Sequence, residues 1–299
     1  MKGDTYVNIT VVGSINIDLV YRVPHIVKKG ETLHSTSSST HFGGKGANQA
    51  VTSSQLGATV QFIGNVGEDA FGDQAVENLA KKGVTTDHIG RTGATGQAII
   101  QLSQTGDNAI VLFQGANFHV TPEQIEKQSE ALTSTDALLL QLEIPVNAVE
   151  RAAEIAAQAG KVVVLNPAPA RELSSALLQY VTILTPNETE LHQLTGIEPV
   201  DDAELRRACD LLRQHGVQTV VVTLGARGAY YVSDEGAGWV DAIKAEVVDT
   251  TGAGDAFNGA LAVAISRGET LRDAIQFANR VASFVVTQLG AQPELKVAF

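Results

Sequence analysis

The sequence predicts an α/β fold: a three-layer α/β/α sandwich with a mainly parallel central sheet, plus a small β-sheet lid. Short runs rich in Val, Ile and Leu recur along the 299 residues, as suits strands buried on both faces of a parallel sheet. Stretches with apolar residues at helical spacing lie between them, and strand–helix alternation implies right-handed βαβ units. Two regions break this rhythm and read as pieces of a second sheet.

Taken in order, "NITVVGSI" (residues 8–15) is the first expected strand. "GSINIDLV" would end it with Asn16 and Asp18 on the same side, given the two-residue strand period. Residues 19–43 read as extended pieces around "KKGE", with polar "HSTSSST" and no helical period. "FGGKGANQA" is a glycine-rich turn running into a helical pattern. Residues 95–115 read as a hairpin turning at "TGDN". The pieces 19–43 and 95–115 would form a lid or oligomer contact on one domain spanning residues 1–299. Further strands are expected over residues 136–143, 161–169, 181–188 and 219–225. "PVNAVERAAEIAAQAG" and "DDAELRRACDLLRQHG" are helices that end at Gly160 and Gly216. "DTTGAGDAFNGALAVAISRG" is a glycine turn opening a last helix.

Composition narrows the function. Hydrophobic residues make up 44% and charged residues 18%, enough for a sizeable core. The formal net charge of −12 opposes nucleic-acid and anionic-membrane partners, which need a basic footprint. Cys209 is the only cysteine, so neither an internal disulfide nor a cysteine metal cluster can form. Asp4, Asn8 and Thr10 interrupt the N-terminal segment, and no apolar run approaches the ~18 residues of a membrane helix. A cytoplasmic protein is expected.

Ligands of open parallel sheets bind beyond the C-terminal ends of the strands. Asn16, Asp18, Glu143, Asn166, Asn187, Glu190, Thr223 and Gly225 lie at or near those ends. Gly252, Ala253 and Gly254 can aim backbone N–H groups at one point, where the helix dipole adds positive potential. Asp255, in the first turn, is either a helix cap or a general base for a hydroxyl attacking phosphorus. Asn187 and Glu190 are either a capping box or carboxylate and amide ligands acting on Mg2+ through its water shell. "TLGARGAYY" is either a hairpin turn or a place where backbone approaches a flat ligand. Asn16 and Asp18 suit paired sugar hydroxyls, and equally suit a turn.

"GGKGAN" fails both nucleotide patterns. A P-loop needs a hydroxyl residue after its lysine, but Gly46 follows Lys45, and Ser39 stands where the first glycine belongs. The dinucleotide pattern fails at Gln49, which takes the place of the third glycine. The segment is then a tight turn, or a loop presenting Gly44 N–H, the Lys45 ammonium and the Asn48 amide to a polar ligand. The seven histidines lack metal-ligand spacing.

"GSINID", "FGGKGANQA", "QLE", "LNPAPA", "PNETE", "TLGARG" and "DTTGAGDAFNGA" occur in this order. Together they resemble the ribokinase-like carbohydrate and nucleoside kinase family over nearly the whole chain. The resemblance implies transfer of the γ-phosphoryl group of ATP to a sugar hydroxyl, O5 in the case of ribose. Other acceptors within the family's range are deoxyribose, 2-keto-3-deoxygluconate and adenosine; a non-catalytic sugar- or nucleotide-binding regulator is the alternative of another class. By that resemblance Asp255 is the base, and Gly252, Ala253 and Gly254 form the anion hole. Asn16, Asp18, Gly44, Lys45, Gly46, Asn48 and Glu143 hold the sugar. Asn187 and Glu190 serve the phosphates and Mg2+. Thr223, Leu224, Gly225, Ala226, Arg227, Gly228 and Asn279 border the nucleotide. Asp249 and Thr251, with Val285, Gln288 and Gly290, match a monovalent-cation site suited to K+. The family often has a serine where this chain has Glu294. It also often continues past the position of Phe299, which implies an incomplete last layer. Its members use the lid sheet as a dimer clasp, which implies a homodimer.

Overall fold

The computed structural model describes residues 6–295. Asp4 and Phe299, on which expectations about the two chain ends rest, lie outside them. The chain begins with β1 (Asn8–Val12), β2 (Asn16–Val23), β3 (Ser37–Gly43) and α1 (Lys45–Gln55). It continues through β4 (Thr59–Val66), α2 (Ala70–Lys81), β5 (Val84–Arg91), β6 (Gly96–Ser103) and β7 (Asn108–Phe113). Two short helices, α3 (Pro122–Lys127) and α4 (Ser129–Thr133), precede β8 (Ala137–Leu140), α5 (Val146–Gln158) and β9 (Val162–Leu165). Then come α6 (Ser175–Tyr180), β10 (Ile183–Leu184), α7 (Glu188–Thr195), α8 (Asp202–Gln214) and β11 (Thr219–Thr223). The hairpin β12 (Ala229–Ser233) and β13 (Gly236–Val240) leads to α9 (Ala253–Ser266) and α10 (Leu271–Val285).

The main sheet has nine strands in the order β13-β12-β11-β10-β9-β8-β1-β4-β5. It is parallel except for the terminal β11-β12-β13 meander. A separate four-stranded sheet has the order β3-β2-β6-β7. Alternation along β8 shows how the layers form. Leu139 points into the core shared with α1, α9 and α10, and Leu138 and Leu140 point into the one shared with α5 and α8. Each is fully buried, which stabilises the fold by about 1.5–3 kcal/mol per side chain. The order reverses between β1 and β8, so a crevice opens outside their C-terminal ends.

Each of the five expected strands is shorter than its run, and 161–169 keeps only Val162–Leu165 and 219–225 only Thr219–Thr223. The first run stops at Val12, so Asn16 and Asp18 do not end the first strand but open β2 of the small sheet. The cause is tertiary. The Ser14 carbonyl accepts from Ala47 N–H at 3.0 Å, and Ile15 N–H donates to Asn117 Oδ1 at 2.8 Å. These groups are lost to the main-sheet ladder. The small sheet therefore begins at Asn16 rather than at residue 19. The run over 181–188 keeps only Ile183–Leu184 as strand, because Pro186 has no N–H to pair and Asn187 caps α7. The run over 136–143 ends at Leu140, which turns Gln141 and Glu143 into the crevice region.

Candidate active site

The loop after β1 and the start of α1 are fitted to each other at the crevice. Gly44 is the N-cap of α1 with φ +90°, and a Cβ there would lie 2.8 Å from both Asn16 N and Ser14 O. No other residue fits this close approach without strain. The first N–H groups of α1 find partners across the chain. Lys45 N–H donates to Glu143 Oε2 at 3.1 Å, and Gly46 N–H donates to Ser14 Oγ at 3.4 Å. Ser14 Oγ–H donates to the same Glu143 oxygen at 2.6 Å. Glu143 thus caps α1 and neutralises part of its positive end.

Around this cap the charges converge. The Lys45 side chain is half-buried, and burial alone would lower its pKa. The negative charges of Asp255, Glu143 and Glu190 outweigh burial and raise it. Asp18 is pushed up to about 6 by burial, then by the charges of Glu143 and Asp255. Asn16 is buried at the head of β2, with its Oδ1 held by Asn117 Nδ2–H at 2.7 Å.

Asp255 is buried in the first turn of α9. Burial raises its pKa, while the Lys45 charge and amide hydrogen bonds pull the other way. Its two oxygens accept from different side chains. Asn48 Nδ2–H reaches Oδ2 at 2.9 Å and Gln49 Nε2–H reaches Oδ1 at 3.1 Å. Asn48 Oδ1 accepts from Gln292 at 2.9 Å, so its amide faces the aspartate on one side and the C-terminal loop on the other. Sequence reasoning used Gln49 only as the residue that breaks a glycine pattern, quoted Gln141 only within "QLE", and gave neither Gln141 nor Gln292 a role.

The N-terminus of α9 lacks a side-chain cap, whereas α2, α7, α8 and α10 are capped by Asp69, Asn187, Asp201 and Thr270. Gly252 is left-handed at φ +78°, and a Cβ on it would lie 2.7 Å from Ala291 Cα. Ala253 N–H donates to Thr250 O at 3.3 Å. Beside this terminus lies a largely apolar cleft of about 560 Å³, within the size range of small-molecule sites. Thr223, Gly225, Ala226, Gly228, Gly254 and Asn279 line it. So do Phe257, from the last glycine-turn motif, and Ile243, Lys244, Val247 and Val286, which no sequence motif singled out. Leu224 is buried, outside the lining. Arg227 is also outside it: its guanidinium pairs with Glu188 at 2.8 Å and stacks 5.9 Å over Trp239.

Asn187 and Glu190 form a reciprocal capping box. Asn187 Oδ1 accepts from Glu190 N–H at 2.8 Å, and Glu190 Oε2 accepts from Asn187 N–H at 2.9 Å. Burial raises the Glu190 pKa, against the cap hydrogen bond and the Lys45 charge. Asp249 Oδ1 accepts from Thr251 N–H at 2.9 Å and from its hydroxyl at 2.6 Å, and Oδ2 from Gly290 N–H at 2.9 Å. These bonds outweigh burial and hold the Asp249 pKa down. The Val285 carbonyl, at the end of α10, accepts from Gln288 N–H at 2.9 Å. This set of one ionised carboxylate, a hydroxyl and carbonyls fits a hard cation better than a soft metal. Among the described residues no three His, Cys, Asp or Glu side chains are grouped to hold a metal ion.

Residues 7–297 match the model of the pfkB family of carbohydrate kinases. A ribokinase of Haemophilus influenzae is 42% identical over 96% of this chain and 94% of its own. A deoxyribokinase of Salmonella typhi is 36% identical over 95% of this chain and 94% of its own. Among solved structures, the Arabidopsis thaliana ribokinase complexed with ribose and ATP superposes with a TM-score of 0.93, at 34% identity, covering 97% of this chain and 96% of that one.

Proposed function

Since the chain belongs to the pfkB family of carbohydrate kinases, we propose that it transfers the γ-phosphoryl group of ATP to O5 of D-ribose, giving ribose 5-phosphate. It is a phosphotransferase with an alcohol acceptor. The observation that carries the detailed reading is the 2.9 Å hydrogen bond from Asn48, in the helix opened by the glycine-lysine turn, to the buried Asp255 at the mouth of uncapped α9, with the Lys45 charge nearby.

In this reading Asp255 takes the proton of the attacking hydroxyl, worth about 10²–10⁴-fold in rate. Gly252, Ala253 and Gly254 direct backbone N–H groups at the charge developing on the transferred phosphoryl group, the Ala253 N–H exchanging its long bond to Thr250 O for it. Asn16, Asp18, Lys45 and Glu143 fix the sugar, with Gly44 and Gly46 shaping the turn that carries Lys45. Asn48 acts by holding Asp255. The adenosine part of ATP occupies the cleft lined by Thr223, Gly225, Ala226, Gly228 and Asn279, with Leu224 and Arg227 supporting its wall. Glu190 and Asn187 face the phosphates, where Mg2+ would neutralise charge through its water shell. Asp249, Thr251 and the carbonyls of Val285, Gln288 and Gly290 would hold K+ beside the anion hole.

The four-stranded sheet acts as lid and dimer clasp. Its edge strand β7 exposes Ile110, Val111, Leu112 and Phe113, an apolar edge that a monomer leaves open to aggregation. Among the described residues no helix is long and apolar enough to cross a membrane; we place the enzyme in the cytoplasm. The deoxyribokinase likeness favours a second acceptor, 2-deoxyribose.

A coupled ADP-release assay with ribose, deoxyribose, fructose, 2-keto-3-deoxygluconate and adenosine, with and without K+, tests the proposal. Ribose is expected to have the highest kcat/KM, and K+ to raise it. Turnover of adenosine alone, or of none of these, would overturn it.

A further inference from the structure

Behind Asp255 lies a chain of buried amides with a fixed direction. Gln141 Nε2–H donates to Gln49 Oε1 at 2.7 Å. With its oxygen occupied in this way, the Gln49 amide turns its N–H groups toward Asp255 Oδ1 at 3.1 Å and Asn166 Oδ1 at 3.4 Å. Gln49 and Gln141 are both fully buried. Gln141 Oε1 has no hydrogen-bond partner, an uncommon condition for a buried polar atom. The fold keeps Gln141 for the proton it donates rather than the one it could accept. The second carboxylate oxygen is served alike: Asn78 Nδ2–H donates to Gln292 Oε1 at 3.0 Å, Gln292 to Asn48, and Asn48 to Asp255.

We propose that Gln49, oriented by Gln141, is a positioning residue that keeps Asp255 ionised and aimed at the acceptor hydroxyl. The proposal rests on Asp255 being the base. A protonated Asp255 would need an acceptor, and the two N–H groups that face it can only donate. Were Gln49 turned over, its oxygen would favour the protonated acid; the Gln141 donor opposes that turn. The brace works against a hostile setting. Burial favours neutral Asp255, as do the carboxylates of Asp18 on β2, Glu143 after β8 and Glu190 on α7, while the Lys45 charge and the hydrogen bonds from Asn48 and Gln49 oppose them. A hydrogen bond donated to the carboxylate therefore decides how far its titration reaches toward neutral pH.

The test follows kcat/KM for the sugar against pH in wild type, Gln49→Met and Gln141→Met. Sugar affinity without ATP and thermal unfolding are measured beside it. The acid limb is expected to move up by about one pH unit in Gln49→Met, and less far in the same direction in Gln141→Met, with sugar affinity unchanged. A merely structural role would lower Tm and leave the limb in place, which would overturn the proposal. If Gln49→Met does not fold, Gln141→Met decides. Asp255→Asn separates the two readings. Retained turnover there removes the base itself, and the proposal with it; lost turnover with unmoved limbs in the glutamine variants removes the proposal alone.

Discussion

Asn48 Nδ2–H donates to Asp255 Oδ2 at 2.9 Å across 207 positions of sequence. This bond ties the first turn of α9 to the first turn of α1, and so, in the proposed function, the phosphoryl end of the site to the sugar end. In Asp255→Asn an amide would replace an acceptor held by two donors, and one new N–H would meet an N–H. Turnover is expected to fall about 10²–10⁴-fold, while sugar binding, measured by calorimetry, survives. Near-normal kcat would remove Asp255 from the role of base.

Lys45 is the one cation among Asp255, Glu143 and Glu190. In Lys45→Met its charge no longer lowers the Asp255 pKa, so the ionised base is populated only at higher pH. The loss of kcat/KM should be larger at pH 6 than at pH 8. The sugar KM should rise more than the ATP KM. Equal rises would count against placing Lys45 at the sugar.

Asp18 carries a pKa of about 6 in the fold, against 3.8 for an ordinary aspartate. Between those values the native state binds more protons than the unfolded one, so its contribution to stability falls as pH rises through the window. Above pH 6 the buried carboxylate faces Glu143 and Asp255 at full cost. Asp18→Asn should therefore be stabilised by about 1–3 kcal/mol at pH 7.5, and by little at pH 4.5, while sugar affinity weakens. Urea unfolding at the two pH values checks the sign; equal stabilisation at both would remove the account.

The glycine turn before α9 was legible because its signals are local: glycines, then apolar helical spacing, then Asp255 within the first turn. The alternating strands of the main sheet were legible for the same reason. The end of β1 was not, because its period continues through Gly13 and the break comes from Ala47 bonding the Ser14 carbonyl. Gln49 was not, because its partners Gln141 and Asp255 lie 92 and 206 positions away. Half of the apolar cleft was also hidden. Ile243, Lys244 and Val247 lie in an irregular segment with no period, and only the packing of α9 and α10 gives it a wall to complete.

Glu190 caps α7, and one pair of variants separates that duty from the Mg2+ role proposed for it. Asn187→Ala removes the acceptor for Glu190 N–H and should destabilise the fold by about 1 kcal/mol. Glu190→Gln keeps an oxygen for Asn187 N–H, since glutamine also completes a capping box, but removes the charge. Its stability should stay near wild type while the Mg2+ concentration needed for half-maximal turnover rises. A Glu190→Gln enzyme with unchanged Mg2+ dependence would leave Glu190 as a cap alone.

Val111 lies on edge strand β7, 65% exposed, opposite Ile99 of β6 at 38%. With Ile110, Leu112 and Phe113 it makes an apolar edge whose backbone groups on one side have no strand beside them among the described residues. A second copy covering this edge would remove both the apolar surface and the open ladder. Sedimentation equilibrium of the wild type should then give two chains. Val111→Lys should shift the equilibrium toward one chain, because a buried unpaired ammonium is costly at an interface. The separated chain should unfold within about 0.5 kcal/mol of a wild-type monomer, as for an exposed substitution. A wild type that sediments as a single chain at all concentrations would remove the clasp role and leave the sheet as a lid.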